Sequence, residues 1–166
     1  MAIFFVVALS YHYDLLKRFE LVTYDYRVIL RGPRETDPRV AVIEISDDSV
    51  AKIGRWPWDR KWHATIIKIL KELGAKGVAF DVIFSEASDP SSDKVMAEAV
   101  RQAGNVYLAE VIEYSKKYED KLLQSLPEIR QNAKGGGHIN LEPDADGVMR
   151  RISLTRDLDG LKVPQL

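Results

Sequence analysis

The first thirty residues carry the longest helical pattern of the chain. Apolar positions recur there at alternating spacings of four and three, and neither glycine nor proline occurs from Ile3 to Leu30. A period of about 3.5 residues predicts one long helix with a single apolar seam, which packs either on its own domain or on a partner helix in a dimer. The helix should end at Gly32 and Pro33, because glycine accepts a left-handed cap and proline cannot continue a helix. The seam consists of Phe5, Leu9, His12, Leu16, Phe19, Thr23, Tyr26 and Leu30.

Strand-like and helix-like segments alternate after a charged linker at residues 33–39. Apolar runs predict buried strands at residues 40–45, 77–84 and 106–112. Three helices are predicted between them: a short one at residues 47–53, one from the cap Asp59 to Gly74, and one that Gly104 ends. This order predicts parallel strands joined by right-handed crossovers. The predicted core face of the second helix holds Trp62, Ile66, Ile69, Leu70 and Leu73.

The last third of the chain changes character. Residues 114–131 predict a charged surface excursion with a helical piece, and the three glycines at residues 135–137 predict a loop. Three further strands with turn residues between them predict an antiparallel meander that completes the sheet. The strands are expected at residues 138–141, 148–155 and 161–163, and the turns at residues 143–147 and 159–160.

These elements predict an α/β fold class with a largely parallel central sheet, crossover helices, a C-terminal antiparallel β-meander and a long N-terminal helix. Residues 1–32 form the N-terminal helix, and residues 33–166 form the α/β domain.

Composition limits the functions open to this chain. The 166 residues are 46% hydrophobic and carry 24 basic and 25 acidic side chains, so no excess of positive charge is available to bind a nucleic acid backbone. Cysteine is absent, which excludes disulfides and thiolate metal sites. No phosphate-binding glycine loop, serine nucleophile elbow or zinc-binding helix motif occurs. We therefore expect a domain without a cofactor and without catalysis of its own.

The start of the chain is unusually apolar. Residues 1–13 carry no Asp, Glu, Lys or Arg, but a membrane span needs about 20 apolar residues and this run is shorter. The cationic start and the cleavage site of a signal peptide are both missing. The segment is either the outer end of a truncated membrane-spanning helix or the apolar start of a buried helix.

Acidic side chains follow the predicted parallel strands, at the edge where open α/β sheets bind ligands. Asp47 and Asp48 follow the first strand, Asp81 lies within the second and Glu86 follows it. Carboxylate oxygens at this edge are suited to Mg²⁺ or to a polar small molecule, and the pattern does not specify which metal. The alternative is structural: Asp47 or Asp48 caps a helix and Asp81 makes a buried hydrogen bond.

All three tryptophans lie within seven residues, at Trp56, Trp58 and Trp62, beside the basic side chains of Arg55, Arg60 and His63. An aromatic wall flanked by cations can stack on a ring or hold an anion, and it can equally be a loop folded onto the core. The residues expected to line a ligand crevice are Asp47, Asp48, Trp56, Trp58, Arg60, His63, Asp81 and Glu86.

A series of motifs recurs in order from about residue 20 to the end of the chain. The most distinctive are Tyr24-Asp25-Tyr26-Arg27, Gly54-Arg55-Trp56-Pro57-Trp58 with Arg60 and His63, the segment at residues 80–86, Gly137-His138-Ile139-Asn140, and Asp144-Ala145-Asp146-Gly147 with Arg150 and Arg151. As a set they resemble the second type of CHASE domain, one of the extracellular sensory domains associated with cyclases and histidine kinases.

The resemblance implies an exported signal-input domain, held at the cell membrane by flanking helices and facing the extracellular or periplasmic side. The attached output would be an adenylate or guanylate cyclase, a histidine kinase or a serine/threonine kinase, and the signal an undefined small molecule or environmental cue. Compared with that pattern, the short apolar start and the end at Leu166 predict a fragment of a longer protein. From the seam we expect a homodimer.

Two other functions remain open at this point. A metal-dependent hydrolase or phosphotransferase would need Asp47, Asp48, Asp81 and Glu86 to converge within a few ångströms. A structural dimerisation module would need only the apolar seam of the N-terminal helix.

Overall fold

The computed structural model describes residues 15–115 and 119–166 and divides the chain into two compact units, Met1–Ile45 and Ser46–Leu166. The described residues form five helices and six strands. The helices are α1 (Leu15–Arg31), α2 (Asp47–Ile53), α3 (Arg60–Glu72), α4 (Pro90–Ala103) and α5 (Pro127–Arg130). The strands are β1 (Val78–Phe80), β2 (Val106–Glu113), β3 (Lys121–Leu123), β4 (Gly135–His138), β5 (Thr155–Leu158) and β6 (Leu161–Pro164).

The first unit contains helix α1, which ends where the sequence predicts. Gly32 follows the helix with φ of 70°, and its N–H donates to the carbonyl oxygens of Val28 and Ile29. The part of the predicted helix before Leu15 lies outside the described residues.

The strand predicted at residues 40–45 is wrong. The segment is irregular, and Val40, Val42 and Ile43 expose their side chains. A strand exists only through hydrogen bonds with a neighbouring strand, and no such pairing reaches these six residues within the part of the chain that the structure describes. Their apolar, β-branched composition favours an extended backbone without supplying a partner.

The second unit is built around β2, which pairs with three other strands. Strand β1 lies parallel to it, with Val78 opposite Val106, and β4 is also parallel, with Tyr107 opposite Gly135. Strand β3 pairs with the far end of β2 in the antiparallel sense. Helix α4 connects β1 to β2, so the prediction of parallel strands joined by a crossover helix is confirmed for this pair. Strand β1 is shorter than the predicted segment 77–84.

Helices α3 and α4 pack on each other, and each begins at an aspartate cap, of which the cap at Asp59 was predicted. The carboxylate of Asp59 accepts from Lys61 N–H, and that of Asp89 accepts from Ser92 N–H. Lys71 Nζ donates to the carbonyl oxygen of Gln102 at 2.7 Å and so joins the two helices at their far ends. The core that they cover contains Ala64, Ile67, Phe80, Phe84, Met96, Ala99, Val100, Ala103, Val106, Leu108 and Ile129.

The core face predicted for α3 is wrong. The helix buries Arg60, His63, Ala64 and Ile67, whereas Trp62, Ile69 and Leu73 of the predicted face are exposed. Helix α3 carries two adjacent apolar stripes, and the small side chain of Ala64 lets the packed stripe approach α4 closely. Of the predicted stripe, Leu70 does pack against the core, partly buried, so the prediction holds for that residue.

The three glycines predicted to form a loop are instead most of strand β4. Gly136 and Gly137 lie against neighbouring groups so closely that a β-carbon would overlap Glu110 at one position and the backbone of Leu166 at the other. Glycine is therefore required here by close approach within the sheet rather than by flexibility.

The predicted C-terminal meander is reduced to one hairpin. Strands β5 and β6 form a separate two-stranded antiparallel sheet, and its turn lies at Asp159 and Gly160 as predicted, both with positive φ. Residues 148–154 and 139–141 are not strands. In the first of these segments Arg150 binds back to the preceding turn through Asp144 at 3.0 Å, which favours a compact turn over an extended strand.

Candidate functional site

Five rings from three parts of the second unit form the aromatic cluster: Trp56, Trp58, His63, Phe80 and Phe84. The two tryptophans lie in the connection between α2 and α3, His63 lies in the first turns of α3, and the phenylalanines lie in β1 and just after it. The cap at Asp59 starts α3 immediately after Trp58, which brings His63 beneath the connection that carries the tryptophans.

The rings meet edge to face around His63. Its imidazole centroid lies 5.7 Å from that of Trp56, 6.1 Å from Phe80 and 5.1 Å from Phe84. Trp56 and Trp58 are 5.5 Å apart. T-shaped contacts at these distances contribute roughly 0.5–1.5 kcal/mol each beyond the area that they bury. The cluster is therefore a rigid platform centred on a histidine.

Arg60 adds a buried cation to this platform. Its guanidinium lies 4.7 Å from the centroid of Phe84, Nη2 donates to the carbonyl oxygen of Glu86 at 3.0 Å, and Nε lies 3.5 Å from Oδ1 of Asp93. The other carboxylate oxygen of Asp93 accepts from Ser88 N–H at 2.9 Å. Arg60 and Asp93 thus fix residues 86–88 to the N-terminal ends of α3 and α4, where both helices need polar partners.

His63 is held in its neutral form by this environment. It is 2% exposed, and its Nε2 atom has no hydrogen-bond partner among the described residues. Burial, and then the nearby charge of Arg60, lower the pKa of His63 from 6.5 to about 4. A neutral imidazole with one unsatisfied nitrogen therefore lies at the centre of the cluster.

The candidate residues divide into two groups. Trp56, Trp58, Arg60 and His63 come together, and Glu86 joins them through its backbone oxygen rather than its carboxylate. Asp47 and Asp48 lie exposed in the first turn of α2, which is capped by Ser46, where their charges favour the helix dipole. Asp81 is exposed directly after β1.

The four acidic candidates do not form a metal site. Among residues 15–115 and 119–166, no three acidic or histidine side chains stand close enough together to hold an ion. The convergence of carboxylates that a metal-dependent hydrolase or phosphotransferase would require is therefore not present in this part of the chain.

The cluster reaches the surface through one ring. Trp56 is 37% exposed, whereas Trp58 is 7% exposed and donates its Nε1–H to the carbonyl oxygen of Gly54 at 2.8 Å. An exposed indole resting on buried rings is suited chemically to stacking on a planar molecule.

A second buried polar group lies within strand β2. Glu110, in the middle of β2, is almost fully buried and accepts from Arg130 Nη2 and Gln124 Nε2, each at 2.8 Å. Gly136 provides the space for this carboxylate. Its partners Arg130 and Gln124 lie in the segment 114–131, which the sequence predicts only as a charged surface excursion. The signal for this buried contact in the sequence is therefore an acidic residue inside an apolar strand.

Comparison with known families identifies the chain. The sequence pattern of the CHASE2 domain family matches residues 1–166, that is, the whole chain. No curated protein and no solved structure matches it. The chain therefore belongs to the CHASE2 family, whose members are sensory extracellular domains of receptors and are typically non-catalytic. Within the described residues, no helix combines the length and the apolarity that crossing a bilayer requires.

Proposed function

We propose that this chain is the extracytoplasmic signal-input domain of a bacterial transmembrane receptor whose output is an adenylate or guanylate cyclase, a histidine kinase or a serine/threonine kinase. The observation that carries this proposal is the family match over the whole chain. The domain would contribute binding and conformational change, and the chemistry would belong to the output domain.

The aromatic cluster is the proposed ligand site. A ligand that stacks on the exposed face of Trp56 would contact a ring that touches His63 at the start of α3, and α3 packs on α4. Binding free energy could therefore shift the position of both helices, provided that the ligand has different affinities for the two arrangements. Asp47, Asp48 and Asp81 are exposed side chains and are not members of the cluster.

The signal would pass through a homodimer. Within α1, the predicted seam presents Leu16, Phe19, Tyr26 and Leu30 as exposed side chains in the first unit. A second copy of α1 is the partner that a seam of this period favours, because two identical helices with a heptad spacing interdigitate along it. Helices that flank the domain and enter the membrane would then carry a change in the dimer to the output domain.

The experiment that tests this function is a pair of fusions to the natural full-length protein. In one strain, alkaline phosphatase is joined directly after Leu166; this enzyme is active only outside the cytoplasm. In a second strain, the same position carries a fluorescent protein that folds only inside the cytoplasm. The proposal predicts phosphatase activity without fluorescence. Fluorescence without phosphatase activity would place the domain in the cytoplasm and overturn it.

A further inference from the structure

His63 is a buried titratable group that the proposed ligand site does not use for binding. Three aromatic rings surround it, at centroid distances between 5.1 and 6.1 Å, and its Nε2 atom has no acceptor or donor opposite it within the described residues. Protonation of the imidazole would create a buried cation whose Nε2–H has no hydrogen-bond acceptor among the described residues, which is among the more costly changes that a folded protein can undergo.

The charged neighbours make this cost larger. Helix α3 itself contributes Arg60, a permanent cation one turn earlier, which already lies over the Phe84 ring that His63 also contacts. Helix α4 contributes Asp93, but its carboxylate is already shared between Arg60 and the N–H of Ser88. The connection before α3 and the strand β1 contribute only uncharged rings, Trp56 and Phe80.

Cation–π attraction does not offset the cost of protonation. A cation over an aromatic face gains less than an unpaired buried charge loses by leaving water. The Phe84 face is in addition already occupied by Arg60. A protonated His63 must therefore reach water.

The structure shows which neighbour can move to admit water. Phe84 is fully buried and Phe80 nearly so, and both belong to the core of the second unit. Trp56, by contrast, is partly exposed, and it follows helix α2, none of whose seven described residues is buried. Displacing Trp56 is therefore the smallest rearrangement that hydrates His63.

We propose that His63 is a proton switch, whose protonation displaces the Trp56 ring from the aromatic cluster while the remainder of the second unit stays folded. This response belongs to the fold itself. The use of this response by the cell, as an input or as a gate on the ligand site, rests on the proposed sensory function. The fusion experiment tests that function separately.

The test uses the full 166-residue chain carrying Trp62→Phe, so that Trp56 and Trp58 are the only tryptophans, and excites tryptophan selectively over tyrosine. We expect their emission to shift to longer wavelength and acrylamide quenching to rise as the pH falls, with a midpoint at about pH 4, the pKa of His63. The far-ultraviolet circular dichroism should stay unchanged over that range. In the matched variant with His63→Phe added, which keeps a ring of similar size, the emission should stay constant through pH 4.

Three results would overturn the switch: the same emission shift in the His63→Phe variant, no shift in the parent before the whole chain unfolds, or a resonance of the His63 ring in the parent that titrates at pH 6.5 or above. The ring titration needs no variant, so it decides the question even if His63→Phe does not fold.

Discussion

Gly136 lies against the side chain of Glu110 so closely that a β-carbon at position 136 would overlap Glu110 Oε1. Gly136 lies opposite Leu108 in the parallel pair β2 and β4 and is therefore diagonal to Glu110. The glycine makes room for a carboxylate that Arg130 and Gln124 hold in place. An acidic group is thereby buried in the central strand of the sheet with its partners arranged around it.

Replacing Gly136 by alanine tests this packing. The new methyl group must displace the carboxylate from its partners, so we expect a loss of about 1–3 kcal/mol in the free energy of unfolding. Urea denaturation followed by circular dichroism measures it. The matched control is Gly135→Ala in the same strand, where the β-carbon would meet the Tyr107 ring at an ordinary 3.4 Å. Equal losses in both variants would show that Gly136 has no special relation to Glu110.

The two tryptophans of the aromatic cluster should differ in their contribution to stability. Trp58 is 7% exposed and Trp56 is 37% exposed. We therefore expect Trp58→Ala to lower the free energy of unfolding by about 3–5 kcal/mol, as for a buried aromatic side chain, and Trp56→Ala by about 1 kcal/mol. Chemical denaturation of both variants provides the comparison. A loss of similar size in both would mean that Trp56 is a core residue and not an accessible binding ring.

Stability should fall between pH 6.5 and about pH 4. As the pH decreases, His63 of the unfolded chain takes up a proton near its ordinary pKa of 6.5, while the folded chain resists until about 4. The unfolded state then binds more protons than the folded state, so the free energy of unfolding decreases as the pH decreases across this window. Burial, and then Arg156, also lower the pKa of His138, which adds to the same slope.

The His63→Phe variant isolates the contribution of His63 to this pH dependence of stability. Denaturation midpoints at a series of pH values should give a shallower slope than the wild type, with a remaining slope due in part to His138. Hydrogen bonds from Arg101 and Arg150 lower the pKa values of Glu98 and Asp146 to about 2, so below about pH 5 these carboxylates take up protons in the unfolded chain first and also add to the remaining slope. An unchanged slope would show that the pKa of His63 is not lowered by folding.

The proposed dimer can be tested by cysteine cross-linking, because the chain contains no cysteine of its own. Phe19→Cys places a thiol on the exposed seam of α1, and we expect a covalent dimer on mild oxidation, resolved on a non-reducing gel. Lys17→Cys is the matched control, since at about 100° per residue it lies on another side of the helix. Equal cross-linking at both positions, or none at position 19, would argue against this seam.

The parts of the fold that could be predicted are those determined by local chemistry. The ends of α3 and α4 follow from Asp59 and Gly104, whose cap interactions involve only residues a few positions away. The hairpin turn at Asp159 and Gly160 is of the same kind, because positive φ is a property of the turn itself.

The parts that could not be predicted depend on distant partners. Whether Gly135 to Gly137 form a loop or a strand is decided by the approach of Glu110 and Leu166, which the sequence around the glycines does not reveal. Helix α3 has two apolar stripes, and periodicity cannot say which one meets α4. The candidate residues follow the same rule. Trp56, Trp58, Arg60 and His63, which are neighbours in sequence, lie together in the structure, whereas Asp93 could not be predicted because its partner Arg60 is remote in sequence.

The most direct test of the account is the output activity of the natural full-length receptor in membranes, measured with Trp56→Ala and with Trp62→Ala. Both variants remove a tryptophan side chain, but only Trp56 belongs to the aromatic cluster, and Trp62 is exposed on α3. If the cluster controls signalling, cyclase or kinase activity at equal protein amounts should change with Trp56→Ala and match the wild type with Trp62→Ala. Equal activity in all three proteins would contradict the account.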